Sequence, residues 1–256
     1  MTSGRRYAHD WEVLARTEPF FAVLTDTRYL SESLTPEHER QFWRSGESYV
    51  EALADLWRTR FSRAFEPERA LDFGCGVGRL LLPIARLSGT AVGVDVSPTM
   101  RGLARSACER AGVTNVSFAA SVPSDTDFDY ANSTLVFQHM PVQVGLDALD
   151  KILGRLRPNG LLSLQLLFSR PNNSPEYRIC RWLYANIQPL RGLVNLLRRK
   201  PYHAPYMQMN AYPLNEVLMR FERNGIHDAY FCLSDDGGFE GALILARKSS
   251  DAVGRK

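Results

Sequence analysis

Residues 70–78 constrain this chain more than any other segment. They read A-L-D-F-G-C-G-V-G, an apolar run that meets Asp72 and then continues with glycine at every second position. Residues 79–87, which follow, have a helix-like pattern. Glycines permit a tight turn and close approach to the backbone, and a helix that begins there presents N–H groups to a ligand. The segment therefore predicts a strand, a glycine turn and a helix that together bind a small-molecule cofactor.

The glycine spacing discriminates between cofactors. A dinucleotide fingerprint, G-x-G-x-x-G, would need glycine at Arg79 if it began at Gly74, or at Leu81 if it began at Gly76. The chain instead has D-x-G-x-G-x-G, which resembles the first motif of class I S-adenosylmethionine-dependent methyltransferases. The resemblance implies that the cofactor's ammonium uses Asp72 and that its body lies against bare backbone. The alternative is a glycine-rich turn without a ligand.

A second strand is predicted at residues 90–96, and it ends in Asp95. An acid at the end of the second strand, about 20 residues beyond the glycines, commonly binds ribose hydroxyls. Ser97 and Pro98 then predict a helix start, as N-cap and first helical residue. Met100, in that helix, is interpreted either as a residue that lines the adenine or as part of the core.

The segment after the third predicted strand departs from the family. Where these enzymes often have an acid for the adenine amino group, residues 119–122 read A-A-S-V. The adenine would then be read by the Ser121 hydroxyl or by backbone groups near Val122. The predicted cofactor-binding residues are Asp72, Gly74, Cys75, Gly76, Gly78, Asp95, Val96, Met100, Ser121, Val122 and Phe137.

Strands and helices alternate along the chain, which indicates an α/β fold with a doubly wound sheet. Further strands are predicted at 116–119, 128–137 and 161–168, with a turn at 157–160 before the last. Two strands at 226–233 and 239–247, joined by a short turn, predict an antiparallel pair. This ending resembles the reversed hairpin of class I methyltransferases, and it implies a Rossmann-like, mostly parallel sheet of seven strands.

The chain divides into three predicted parts. Residues 1–67 form a helical cap, residues 68–168 and 213–247 the cofactor-binding α/β domain, and residues 169–212 an inserted helical lid. A connection this long is usually functional or disordered, and its apolar content argues against disorder. Its basic end, residues 198–200, is interpreted either as a solvated helix end or as a contact for an anionic substrate or a membrane surface.

His139 is the candidate catalytic base. It follows the fourth predicted strand, and ligands of open α/β sheets bind at the carboxyl ends of the strands. Methyl transfer to a hydroxyl requires removal of a proton, and an ordinary histidine ionises near neutral pH. The alternatives are that Gln138 and His139 only support the cofactor, or that His139 merely orients an amine acceptor.

Composition bounds the remaining expectations. The formal net charge of +3 is too small to predict a nucleic-acid partner, and the absence of any long apolar run predicts no stable membrane insertion. Four scattered cysteines and the lack of a signal peptide favour a reducing cytoplasm. The predicted function is methyl transfer to a hydroxyl or amine of a small molecule such as a sugar. An RNA or protein methyltransferase, a non-catalytic scaffold, a bound magnesium ion and a homo-oligomer stay open.

Overall fold

A single mixed sheet organises the protein. The computed structural model describes residues 3–62, 64–170, 179–180, 182–184, 187–197, 205, 207–236 and 238–250. Within these residues seven strands form one sheet in the order β3-β2-β1-β4-β5-β7-β6. The strands are β1 Arg69–Phe73, β2 Thr90–Val94, β3 Val116–Ala119, β4 Phe128–Ser133, β5 Leu156–Leu167, β6 Ile226–Asp236 and β7 Phe239–Lys248.

The first five strands are parallel, and the order reverses between β1 and β4. Strand β7 lies antiparallel between β5 and β6, so the chain ends in the predicted reversed hairpin. The predicted fold class is confirmed. The predicted turn at 157–160 lies inside β5, where the register with β4 shifts and Asn159 takes a positive φ of 60°.

Helices cover both faces of the sheet. They are α1 Ser3–Thr17, α2 Pro19–Val23, α3 Pro36–Phe61, α4 Leu81–Arg86, α5 Pro98–Arg110, α6 Val142–Arg155, α7 Gln188–Leu197 and α8 Leu214–Arg223. Local sequence sets their starts: the side chains of Thr35 and Ser97 accept hydrogen bonds from backbone N–H groups, and proline follows each cap.

The core lies on the two faces of the sheet. One cluster joins β4, β5 and β7 to α6 and α8, and another packs α3 and α4 against the opposite face. Trp57 of α3 is fully buried, and its Nε1 donates to the Ser163 hydroxyl 3.3 Å away. The hydroxyl of Tyr130 donates to the same Ser163 oxygen, so each of these buried polar atoms has a partner.

Among the predicted boundaries that differ from the structure, two shape the candidate site. Strand β4 ends at Ser133 rather than at residue 137, because Leu135 takes a positive φ of 61° and turns the chain into a short 3-10 helix, Phe137–His139. Helix α4 begins at Leu81, after the glycine turn has finished. Both differences lengthen the loops that follow the central strands, and these loops form the site described below.

The predicted lid lies partly outside the described residues, which leave out 171–178, 181, 185–186, 198–204 and 206, the basic residues 198–200 among them. Helix α7 is described, and the end of the segment is tied to the sheet by a parallel bridge between Leu167 and Ala211. Among the described residues, no helix has the length and apolar character needed to cross a bilayer.

Candidate active site

A cavity of about 320 Å³ opens where the central parallel strands end. Loops after β1, β2, β3 and β4 form its floor, and helices α1 and α6 contribute to its walls. A volume of this order suits a small-molecule ligand. The predicted site residues that line it are Asp72, Gly74, Cys75, Gly76, Asp95, Val96, Met100, Ser121, Val122 and His139.

The glycine turn has a backbone that other residues rarely adopt. Gly74, Gly76 and Gly78 have φ values of 80°, 53° and 95°, all in the left-handed region. A Cβ on Gly74 would overlap the side chain of Val136, and one on Gly76 would lie 2.7 Å from Val23 Cγ2. Gly74 therefore allows the loops after β1 and β4 to lie close together, and Gly76 allows α2 to lie close to the glycine turn.

Gly78 and Phe137 are placed elsewhere. Gly78 packs against Ala104 of α5, where an added Cβ would lie 3.3 Å from the alanine Cβ. Phe137 is fully buried in the core, with its ring 6.0 Å from that of Phe73 and 5.5 Å from that of Tyr212. Neither lines the cavity. Met100 does line it, and it also packs in a core cluster, so both interpretations of this residue describe its position.

Asp72, the acid of the motif, is a buried carboxylate that lines the cavity. Its Oδ1 accepts a hydrogen bond of 2.7 Å from the Asn132 side chain. Burial raises the pKa of Asp72 to about 6, although the Asn132 hydrogen bond and the charge of Arg79 act in the opposite direction. The carboxylate therefore has unused acceptor capacity in a place where a cationic group would be strongly favoured.

Asp95 lies at the end of β2 and ties two loops together. Its Oδ2 accepts from the Gly76 N–H at 3.0 Å and its Oδ1 from the Ser97 N–H at 2.9 Å. Burial raises the pKa of Asp95, while these two backbone hydrogen bonds lower it. Since an ionised carboxylate has about four acceptor positions, both oxygens can accept further hydrogen bonds from hydroxyl groups.

Helix α1 closes one side of the cavity through residues that sequence reasoning did not single out. Tyr7 and Trp11, one helical turn apart, line the cavity. Glu12 anchors the helix to the start of α5, accepting hydrogen bonds of 2.6 Å from the hydroxyls of both Ser97 and Thr99. The apolar spacing of Tyr7, Trp11 and Leu14 was the available signal for a packed amphipathic helix.

The loop after β3 meets helix α6 at another wall. Ala120, Ser121 and Val122 line the cavity there, beside the exposed Asp147 and Lys151 of α6. Sequence reasoning named only Ser121 and Val122. Asp147 and Lys151, one helical turn apart on α6, are therefore two further charged residues of the cavity that the motifs did not reveal.

His139 is buried against the cavity with a fixed ring orientation. Its Nδ1 lies 2.8 Å from the Gln208 carbonyl oxygen, which can only accept, so Nδ1 carries the proton of the neutral ring. Trp11 packs edge-on against the imidazole, with the ring centroids 5.2 Å apart. Burial lowers the pKa of His139 to about 4, while the Gln208 hydrogen bond raises it. The expected ionisation near neutrality is therefore wrong for this buried ring.

The neutral tautomer has a chemical consequence. With the proton on Nδ1, the Nε2 atom carries a lone pair and can accept a proton or a hydrogen bond. Segment 207–212 maintains this arrangement, because the Asn210 N–H donates to the Gln138 carbonyl at 2.6 Å and its side chain donates to the Met140 carbonyl at 2.7 Å. The arrangement can therefore act as a base without first losing a proton to water.

The described residues contain no group of three or more His, Cys, Asp and Glu side chains that could hold a metal ion. They therefore offer no donor set for the magnesium ion that the sequence left open.

Comparison with known proteins identifies a domain within the chain. Residues 70–160 match the sequence profile described as a methyltransferase domain. This chain carries a class I methyltransferase domain. The matched segment contains the glycine turn, Asp95 and His139, and the recognition made from D-x-G-x-G-x-G is confirmed.

Relatives share this methyltransferase domain over part of their length. The 2-heptyl-1-hydroxyquinolin-4(1H)-one methyltransferase of Mycobacteroides abscessus is 30% identical over 144 residues, 49% of this chain and 63% of that protein. The ubiquinone biosynthesis O-methyltransferase of Nitrobacter winogradskyi is 31% identical over 125 residues, 45% of this chain and 46% of that protein. The chain thus spans about half to two thirds of the length of these relatives.

Solved structures share the fold of the methyltransferase domain. The magnesium protoporphyrin IX methyltransferase ChlM of Synechocystis, solved with bound SAM, superposes with a TM-score of 0.54. The superposition covers 82% of this chain and 83% of that chain at 16% sequence identity. At that identity the likeness shows the fold alone.

Proposed function

We propose that this protein transfers a methyl group from S-adenosylmethionine to a hydroxyl or amine of a small molecule. One observation carries the proposal: Gly74, Gly76, the carboxylates of Asp72 and Asp95 and a neutral His139 line the same cavity. The two relatives named above support it, since one is a 2-heptyl-1-hydroxyquinolin-4(1H)-one methyltransferase and the other a ubiquinone biosynthesis O-methyltransferase.

The cavity fits the cofactor that the motif implies. Asp72 would hold the ammonium, and Asp95 would accept from the ribose hydroxyls. Gly74 and Gly76 line the cavity with bare backbone, and Val136 and Val23 fill the positions that their Cβ atoms would need. Ser121 and Val122 lie on the wall that we assign to the adenine.

Residues of this chain supply the remaining chemistry. S-adenosylmethionine, when bound, supplies a methyl group on a positively charged sulfur. The Gln208 carbonyl holds the His139 proton on Nδ1, which leaves Nε2 to take the proton of an acceptor hydroxyl. Trp11 keeps the imidazole in place and helps to exclude water. For an uncharged amine acceptor no base is needed, and His139 would orient the acceptor by a hydrogen bond.

Enclosure of the cavity favours a small acceptor. Helix α1 lies over it through Tyr7 and Trp11, and we extend the proposal to segment 169–212 as a lid over the acceptor. We further place the reaction in the cytoplasm, because all four cysteines are free. The proposal includes neither a nucleic-acid partner nor stable membrane insertion. Light scattering would show whether the protein forms a homo-oligomer.

The experiment follows transfer from S-adenosylmethionine labelled in its methyl group. Purified protein is incubated with separate metabolite, protein and RNA fractions, and calorimetry measures binding of S-adenosylhomocysteine in parallel. Label in a small-molecule product supports the proposal, and its loss in the variant His139→Asn supports a hydroxyl acceptor with His139 as the base. Label only in RNA or protein would replace it with the alternative acceptor class. Tight binding without transfer to any fraction would favour a scaffold, and binding of NAD alone would refute the cofactor.

A further inference from the structure

Arg79 is a buried cation that neither the motif nor the proposed mechanism uses. It follows the last glycine of the turn, lines the cavity and is only 6% exposed. Its Nη1 donates a hydrogen bond of 3.3 Å to the Ser45 hydroxyl of α3. Its Nε is buried and, within the described part of the chain, has no hydrogen-bond partner. A buried guanidinium with one weak hydrogen bond is costly, and a ligand in the cavity that accepted hydrogen bonds from its Nη groups would offset that cost.

The neighbourhood of Arg79 contains an opposite charge that does not pair with it. Asp72 is close enough for each charge to stabilise the other. Both residues belong to the described part of the chain, and no nitrogen–oxygen contact within 4.0 Å joins them. A buried acid and a buried base on one cavity wall thus face the same space without forming an ion pair. That pattern is complementary to a ligand that carries both charges, such as an α-amino acid zwitterion.

The position of Arg79 is built into the fold. Gly46 lies inside α3, where an added Cβ would overlap the Arg79 carbonyl oxygen and lie 2.9 Å from Arg79 Cγ. Glycine in a helix interior costs about 1 kcal/mol relative to alanine, so its presence here is explained by the close approach. The hydroxyl of Ser45 then holds Nη1 in place, and among the described residues Nη2 is left for another acceptor.

We infer that Arg79 binds the carboxylate of the cofactor's amino-acid end, while Asp72 on the same wall takes the ammonium. The inference rests on the proposed function, because it assigns one more residue to the same cofactor. Arginine suits this task, since its planar group donates two parallel hydrogen bonds to a carboxylate. It also explains why residue 79 lines the cavity although the glycine pattern has already ended.

Two nucleosides that differ only in the amino-acid end test the inference. S-adenosylhomocysteine carries the ammonium and the carboxylate, whereas methylthioadenosine has the same adenine and ribose but neither charge. Calorimetry compares both ligands in wild type, Arg79→Met and Arg79→Lys. The control is Arg86→Met, because Arg86 at the end of α4 likewise contacts α3, through Glu47, but lies outside this cavity. Thermal unfolding of each variant verifies folding.

In Arg79→Met we expect affinity for S-adenosylhomocysteine to fall about 10- to 100-fold, as for a lost hydrogen bond to a charged group, with methylthioadenosine within about threefold. The affinity of Arg79→Lys for S-adenosylhomocysteine should lie between those of wild type and Arg79→Met, and the affinity of Arg86→Met should equal that of wild type. Equal loss for both nucleosides would mean that Arg79 only supports the glycine turn and would overturn the inference. Unchanged affinity for both nucleosides would also overturn the inference, but it would not contradict the proposed function. A wild type that binds neither nucleoside would refute both proposals.

Discussion

Burial of His139 makes a quantitative prediction about pH. An ordinary histidine has a pKa of 6.5, and burial lowers that of His139 to about 4. The difference corresponds to a free energy on the order of 3 kcal/mol that favours the neutral ring in the folded protein. Below pH 6.5 the unfolded chain binds a proton that the folded chain does not. The free energy of unfolding is therefore unaffected by protonation of His139 above pH 6.5. It decreases as the pH falls from 6.5 to about 4, because protonation of the ring favours the unfolded chain.

The variant His139→Asn isolates this contribution. An asparagine amide can still donate towards the Gln208 carbonyl, but it does not titrate. Urea unfolding at pH 7 and at pH 4 should show that wild type loses about 3 kcal/mol more than the variant over this interval. Magnetic resonance should find the His139 ring neutral down to about pH 4. A His139 ring that titrates near pH 6.5 would refute the reasoning, because it would show that the ring is not buried in this way in solution.

The same variant addresses turnover. If Nε2 is the base for a hydroxyl acceptor, turnover of His139→Asn should fall about 100-fold or more while affinity for S-adenosylhomocysteine stays close to that of wild type. Wild-type turnover should not decline through pH 6.5, because the ring is already neutral there. A variant with nearly normal turnover would assign His139 to orientation and favour an amine acceptor.

Three further predictions concern the rest of the site. Asp95→Asn should lower affinity for S-adenosylhomocysteine about tenfold in calorimetry, because one oxygen and the charge are lost, and unchanged affinity would contradict the ribose assignment. Partial burial raises the pKa of Glu12, but hydrogen bonds from Ser97, Thr99 and Arg16 lower it to about 2. Its stabilisation of α1 should thus be present above pH 4.5 and disappear towards pH 2, as thermal unfolding of wild type against Glu12→Gln would show. Hydrogen exchange in residues 169–212 should slow when cofactor and acceptor are both present, and equal protection in every state would contradict a lid.

Local signals explain why so much of the sheet was predictable. The strand at 116–119 has the bounds that the sequence predicts, because turn residues flank the apolar run there. The helix at 98–110 starts where Ser97 and Pro98 place it. The side of the cavity that we assign to the cofactor was also predictable from local sequence. The glycines and the two acids occupy strand ends whose positions follow from the alternation of strands and helices.

Long-range contacts explain what the sequence missed. Glu12 meets Ser97 across 85 positions of the chain, and His139 meets Gln208 across 69. The hydrophobic periodicity within either segment does not predict such a contact. The interpretation of His139 as an ordinary histidine failed for this reason, because its pKa depends on the burial that the N-terminal helix and residues 207–212 provide together.

The charge of the site leads to a last prediction, on the pH dependence of binding. Burial raises the pKa of Asp72 to about 6, so this carboxylate begins to lose its charge just below neutral pH. An ammonium bound beside it would favour the ionised form and thus lower the pKa in the complex. Affinity for S-adenosylhomocysteine should therefore weaken as the pH falls below about 6, and level off where the complex itself takes up the proton. Methylthioadenosine, which lacks the ammonium, should show no such loss. Parallel weakening of both nucleosides would place the titrating group at the ribose, on Asp95, rather than at the amino-acid end.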